Sequence, residues 1–177
     1  MNAHQIARII NDNMTSMRRF ARSLEHSAFD ADDLVQACAE KAVRKRRQLR
    51  DPDRAQAWLM SILYREFLTS RRKAARREQP VEEIQADCLR SGPASQEMRL
   101  ECAAALDALG DLPSDQRAAL TLTAVEGLSG EEAAAILGQK PATVRSHVSR
   151  ARIALRNALD EAPAEAPARP ARTVNAS

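Results

Sequence analysis

The stretch from Ser129 to Leu159, SGEEAAAILGQKPATVRSHVSRARIALRNAL, decides the fold. Ser129 followed three residues later by Glu132 makes a capping box. The hydroxyl serves a free backbone N–H of the first turn, and the carboxylate reaches back to the cap's own N–H. Ala133, Ile136 and Leu137 then recur at the spacing of a buried helical stripe. Ala133, Ala134 and Ala135 are small enough to let a second helix approach closely. Gly138 supplies the left-handed residue that ends the helix, and Pro141 pre-sets the first turn of the next one. In that next helix Val144, Val148, Ala151, Leu155 and Leu159 share one face, and Arg145, Ser149, Arg152 and Arg156 share another. Five basic residues and no acidic ones lie between Lys140 and Arg156. The pattern is a helix-turn-helix with a cationic second helix, a shape that fits the major groove of DNA. There arginine meets guanine through two hydrogen bonds, while Ser and Thr reach bases or phosphates. A helical hairpin with a solvated basic face is the plainer alternative. The agreement of caps, turn and charge favours DNA binding.

Working outward from this motif, the rest of the chain also reads as helix. Aromatic residues make up 3% of the 177 residues and there are only 5 glycines, a composition poor in strand formers. Ile6, Ile9, Ile10, Met17, Phe20 and Leu24 predict one helix from about His4 to Leu24. Asp30 as cap, with Asp33 three residues on and Phe29 stapled onto Leu34, predicts the start of a second helix. That helix carries Leu34, Val35, Cys38, Ala42 and Val43 and runs into a basic stretch, Lys41 to Arg47. Asp51-Pro52 opens a third helix, which buries Trp58, Leu59, Ile62, Leu63 and Phe67 and ends in RRKAARR, residues 71–77. Residues 78–98, with two prolines and little periodicity, read as a linker. Helices over about 99–109 and 113–126 follow, separated by Gly110 and Pro113 and stopped by Gly127. From residue 161 an Ala/Pro-rich tail is expected to be disordered.

Charge and composition narrow the function. Residues 1–77 hold 17 Lys and Arg against 9 Asp and Glu, whereas residues 78–112 hold 2 against 8. A basic first half attracts phosphate backbones. No apolar run approaches the ~18 residues of a membrane span. The opening MNAHQIARIINDN lacks the layout of a secretory signal, so a cytoplasmic protein without membrane insertion is expected. Cys38, Cys88 and Cys102 are far apart and odd in number, which suits buried free thiols better than a metal site or disulfides. His4, His26 and His147 are scattered, and no phosphate loop or nucleophile motif is present. These features point away from an enzyme, a cofactor, a metal or a small-molecule substrate.

Three stretches resemble the extracytoplasmic-function (ECF) group of bacterial RNA polymerase sigma factors. FDADDLVQACAEKA, residues 29–42, resembles the region 2 segment that docks on the coiled coil of the polymerase β′ subunit. RAQAWLMSILYREFLTSRRKAARR, residues 54–77, resembles the promoter-melting and minus-ten helix. Residues 106–155 resemble region 4 almost throughout. The resemblance implies an all-α chain of two small helical domains joined by a flexible linker. Residues 1–78 would form the region 2 helical bundle, 79–98 the acidic linker, 99–160 the region 4 helix-turn-helix and 161–177 the tail. It also implies the site residues. Asp32, Asp33, Leu34, Val35 and Gln36 match the polymerase-docking motif. The segment Arg47–Asp53 matches the one that captures a flipped base of the melted minus-ten element, with Arg47, Arg50 and Arg54 as cations for the displaced strand. Ser61, Arg65, Arg71 and Arg72 lie along the helix that would meet minus-ten DNA. Lys140, Thr143, Arg145, Ser146, Ser149 and Arg150 match the positions that read the minus-thirty-five element. Ala37, Ala39, Val43, Arg65 and His147 depart from residues frequent in the group, which bears on promoter choice rather than class.

The implied activity is that of an alternative-sigma initiation factor, used in stress responses. It would direct polymerase core, through the β′ and β subunits, to promoter DNA under the control of an anti-sigma factor. Two other classes fit parts of the chain. One is a sigma-like module that only sequesters an anti-sigma factor; the intact cations of the recognition helix speak against it. The other is a plain helix-turn-helix regulator, which has no use for the docking motif.

Overall fold

The computed structural model describes residues 2–25, 27–75 and 108–161, and every regular element among them is helical. The proposed linker, Cys88, Cys102, His26, most of the helix expected over 99–109, and the tail lie outside the described residues. Helix α1 spans Ala3–Asp12 and α2 spans Met14–Leu24. The single helix expected here is therefore broken. The side chain of Asn13 donates to the carbonyl of Ile9 (2.8 Å), closing α1 before α2 begins. Helix α3 spans Ala28–Arg44, followed by a 3-10 turn, Arg46–Gln48. Its cap is Ser27, whose hydroxyl accepts from the Asp30 N–H, and Asp30 belongs to the first turn. The staple expected of Phe29 does not form: that ring is 72% exposed. The earlier start puts Phe29 inside the helix on its outer face, where it cannot reach back over Leu34. Asp51 does cap as expected, accepting from the Asp53 N–H (3.0 Å). A 3-10 turn over Pro52–Arg54 leads from it into α4, Ala55–Ala75.

These four helices bury Ile6, Ile10, Met17, Phe20, Leu24, Leu34, Val35, Leu59, Met60, Ile62, Leu63 and Phe67 in one core. Lys41 of α3 pairs with Glu66 of α4 across its edge. Cys38 sits inside, its thiol directed at the Leu59 carbonyl (3.5 Å).

The described part of the second unit begins at residue 108. Helix α5 spans Ser114–Leu120 and widens into a π-type segment, Thr121–Val125, closed by the Glu126 N–H donating to the Thr121 carbonyl (2.9 Å). Gly127, at φ 70°, ends it. Helix α6, Gly130–Leu137, carries the full capping box and stops at Gly138, at φ 65°. Helix α7, Pro141–Glu161, completes the unit. A small cluster of Leu112, Leu120 and Ala151, with Leu109, Val148 and Leu155 around it, holds α5 to α7. Leu159, expected on the buried face, is 41% exposed.

The second unit packs directly on the first. Ala118, Ala119, Leu122, Ala133, Ala134, Ile136, Leu137 and Val144 are continuous with the core of α1–α4. Helix α6 lies against α4, and α5 against α2. Arg117, 4% exposed, crosses this seam by donating to the carbonyl of Ser23 in α2 and to that of Gly110 on its own side.

Candidate nucleic-acid and polymerase interfaces

The cations expected to read DNA are presented outward. Lys140, Thr143, Arg145, Ser149 and Arg150 are exposed along the first three turns of α7, and Ser146 is half-buried. Val144, at 1% exposure, and Ala151 turn inward and fix the rotation of the helix. The register thus follows from the sequence: each apolar residue anchored below leaves a cation above. Arg145 and Arg150 have no carboxylate partner among the described residues, so their charge is free for phosphate or base. A groove of about 380 Å³ runs beside them, lined by Val144, Val148 and Ile153 together with Arg145, Arg152 and Arg156.

The local structure holding this helix is well determined by its caps. The Ser129 hydroxyl accepts from the Glu132 N–H (3.2 Å), and Glu132 accepts from the Ser129 N–H (2.9 Å) and hydroxyl (2.8 Å). These bonds hold the Glu132 carboxyl below its ordinary range, the Ser129 backbone N–H first, with a smaller contribution from the charge of Arg54. That last influence puts Arg54, a candidate cation of the first unit, in the field of the helix-turn-helix.

In the first unit, Asp32, Asp33 and Gln36 are exposed on α3, whereas Leu34 and Val35 are 6% and 5% exposed and belong to the core. Of the five residues matched to the docking motif, three offer surface chemistry and two set the helix on its base. Phe29 stands one turn before Asp32 and Asp33 on the same outer face, a residue that the staple argument placed inside. Its exposure follows once Ser27, and not Asp30, is taken as the cap.

Arg47, Arg50 and Arg54 are exposed around the turn that joins α3 to α4. Leu49, 8% exposed, pins the middle of that turn to the protein. Arg65, Arg71 and Arg72 are exposed along α4. Arg71 stacks over the Phe67 ring, 5.6 Å from its centroid. Ser61 is half-buried, and its hydroxyl donates to the Trp58 carbonyl (2.7 Å). Ser61 and Arg65 stand one turn apart on the same face of α4. Trp58 packs against the core. Among the described residues, no group of His, Cys, Asp and Glu is placed to hold a metal ion. Nor is any helix there long and apolar enough to cross a membrane.

Comparison with known proteins places each unit in a family. Residues 9–77 match the family model described as Sigma-70 region 2, and residues 102–155 match that described as Sigma-70, region 4. The chain is 39% identical over 137 residues to the ECF RNA polymerase sigma factor EcfG of Rhodopseudomonas palustris, covering 77% of this chain and 75% of that one. Among solved structures it is similar to the sigma factor RpoE in complex with the anti-sigma factor NepR from Bartonella quintana. The TM-score there is 0.67 at 31% identity, over 90% of this chain and 97% of that one. It is also similar to CnrH in complex with the cytosolic domain of CnrY, with a TM-score of 0.64 at 28% identity and 90% coverage of each chain. A region 2 bundle followed by a region 4 helix-turn-helix, each matched in its own place and in this order, identifies the chain as a member of the ECF group of RNA polymerase sigma factors.

Proposed function

We propose that the chain is an alternative sigma factor that brings RNA polymerase core to a particular set of promoters. Residues 1–78 would serve as region 2, 79–98 as the acidic linker, 99–160 as region 4 and 161–177 as the tail. The observation that carries the reading is the outward row of Arg145, Ser149 and Arg150 on α7, within a chain that also presents Asp32, Asp33 and Gln36 on α3. A plain repressor has use for the first surface only. A module that only sequesters an anti-sigma factor has no use for the cations of the first.

The work is positional. Asp32, Asp33 and Gln36 engage the polymerase β′ subunit, with Leu34 and Val35 holding their helix in place, and region 4 adds contact to the β subunit. Arg47, Arg50 and Arg54 draw in the strand displaced as the minus-ten element opens. Arg65, Arg71 and Arg72, with Ser61 one turn before Arg65, hold the adjoining stretch of DNA along α4. Lys140, Thr143, Arg145, Ser146, Ser149 and Arg150 bind the minus-thirty-five duplex: the arginines address guanine edges, and Lys140 with the hydroxyls addresses phosphates. No covalent step falls to the protein, so it is not an enzyme and requires no cofactor. It acts in the cytoplasm, where polymerase and DNA are. The Bartonella quintana relative is held by an anti-sigma factor, and a partner of that class would control this chain too.

Transcription by purified core polymerase plus the full chain, over a library of promoter sequences, tests the reading. Promoter-specific transcripts that need the chain are expected, and they should be lost with Asp33→Ala or Arg145→Ala. A library yielding no such transcript would refute it.

A further inference from the structure

The two DNA-reading surfaces have to act far apart. Elements named for ten and thirty-five base pairs upstream have centres about 25 base pairs from each other, roughly 85 Å at about 3.4 Å per pair. A compact chain of this length has a radius of gyration of about 16 Å, hence a diameter of roughly 40 Å. With the second unit seated on the first, the molecule cannot reach both elements. The seam between the units must open before a promoter is bound at both ends.

One group stands out in that seam. The side chain of Glu126 is wholly buried, an unusual place for a carboxylate. Both of its oxygens are bound from the other unit. Arg19 of α2 donates from Nε to Oε1 (2.9 Å) and from Nη2 to Oε2 (3.1 Å). Gln56 of α4 donates from Nε2 to Oε2 (3.1 Å) and to the Glu126 carbonyl (3.2 Å). The partners lie 107 and 70 residues away in sequence. A two-pronged arginine fork with a second donor is strong and directional. The π-type segment before Glu126 and the left-handed Gly127 after it turn this residue toward α2 and α4. Nothing in the DNA-reading or docking surfaces uses these groups.

We propose that Glu126, gripped by Arg19 and Gln56, is an internal latch that keeps the free chain closed, and that its release controls loading onto polymerase and promoter. The closed form also holds α6 against α4. A ligand that binds only the open form sees an affinity reduced by the open fraction. Loosening the latch therefore tightens apparent binding without adding any contact.

The test uses the full chain, with Glu126→Ala and Arg19→Ala made separately. Small-angle X-ray scattering should show the radius of gyration rising about 1.2-fold or more in each variant as the units separate. Apparent affinity for core polymerase should rise about 3- to 10-fold. If Glu126→Ala loses its helical circular dichroism, the decision rests on Arg19→Ala, whose side chain is 38% exposed. An Arg19→Ala chain with wild-type dimensions and wild-type polymerase affinity would overturn the latch. So would expansion accompanied by unchanged or weaker affinity. Scattering needs no polymerase, so failure of the latch is separable from failure of the sigma-factor assignment.

Discussion

The two units bury their interiors differently. The first has large side chains at its centre: Ile6, Met17, Phe20, Leu24, Leu59, Met60 and Leu63 are all essentially inaccessible. Among the described residues, the second is built largely on Ala118, Ala119, Ala133, Ala134 and Ala151, with Leu122 and Val144 as its large, fully inaccessible side chains and Leu112, Leu120, Ile136 and Leu137 nearly so. Alanines let helices approach closely but remove little apolar area from water, at about 0.8 kcal/mol per buried methylene forgone. The second unit makes up part of the deficit by leaning on the first. Core strength is thus concentrated in the first unit.

The comparison breaks first at Phe20. Phe20→Ala should cost about 3–5 kcal/mol, and because the cores are continuous the loss should reach α5–α7 as well. Trp58, the one tryptophan, reports on the first unit, while helical circular dichroism reports on both. Urea titrations of the variant should show both signals shifting together to lower midpoints. A fluorescence transition that moves while half the helical signal stays in place would show that the units melt independently.

Substitutions on α7 sharpen the contrast from the other side. Arg145→Ala should weaken minus-thirty-five duplex binding by about 1–3 kcal/mol and relax sequence preference at one position. Its midpoint of unfolding should stay at the wild-type value, since the residue is exposed and unpaired among the described residues. Arg150→Ala, if it removes a phosphate contact, should lower affinity uniformly across sequences and reduce the salt slope by about one. Fluorescence anisotropy with labelled duplexes at several salt concentrations separates these outcomes. A stability loss of the size seen for Phe20→Ala would place either arginine in the scaffold.

The same contrast explains what could be read from sequence. The helix-turn-helix was legible nearly to the residue, because Ser129, Glu132 and Gly138 are local devices whose geometry depends on nothing distant. The outward face of α7 was legible because Val144 and Ala151 fix its rotation. The exposed residues Asp32, Asp33 and Gln36 followed from the family motif, but their start signal was misplaced: Ser27 and Asp30 are both competent caps, and only packing chooses between them. The break at Asn13 was hidden for a related reason, since the apolar spacing continues across it. The seat of the second unit on the first was not legible at all. It depends on Glu126 meeting Arg19 and Gln56, partners 107 and 70 residues away, and no local pattern encodes such a meeting.

Ser129→Ala should have a smaller effect, about 0.5–2 kcal/mol. Its pH dependence follows from Glu132. A carboxyl held below the ordinary value of 4.5 contributes stability that is fully present above that value and lost as pH falls through its lower folded-state value. The thermal midpoints of Ser129→Ala and wild type should therefore differ at neutral pH and converge on acidification. A gap that persists in acid would mean the serine hydroxyl acts without Glu132.

The smallest effect concerns Cys38, and it probes the rigidity of the first unit. Burial, followed by the charge of Glu66, pushes this thiol up to about 12, and Lys41 offsets only part of that. At neutral pH the reactive thiolate is then scarce, and the sulfur has no solvent access. In a chain with Cys88→Ser and Cys102→Ser, a thiol-specific reagent should label Cys38 no faster than the whole chain unfolds, and mild urea should accelerate labelling in step with loss of the Trp58 signal. Rapid labelling in the native state would mean α3 and α4 part locally while the rest of the molecule holds. The unit with the larger side chains would then be the looser one, and the light second unit could not be said to rest on a rigid base.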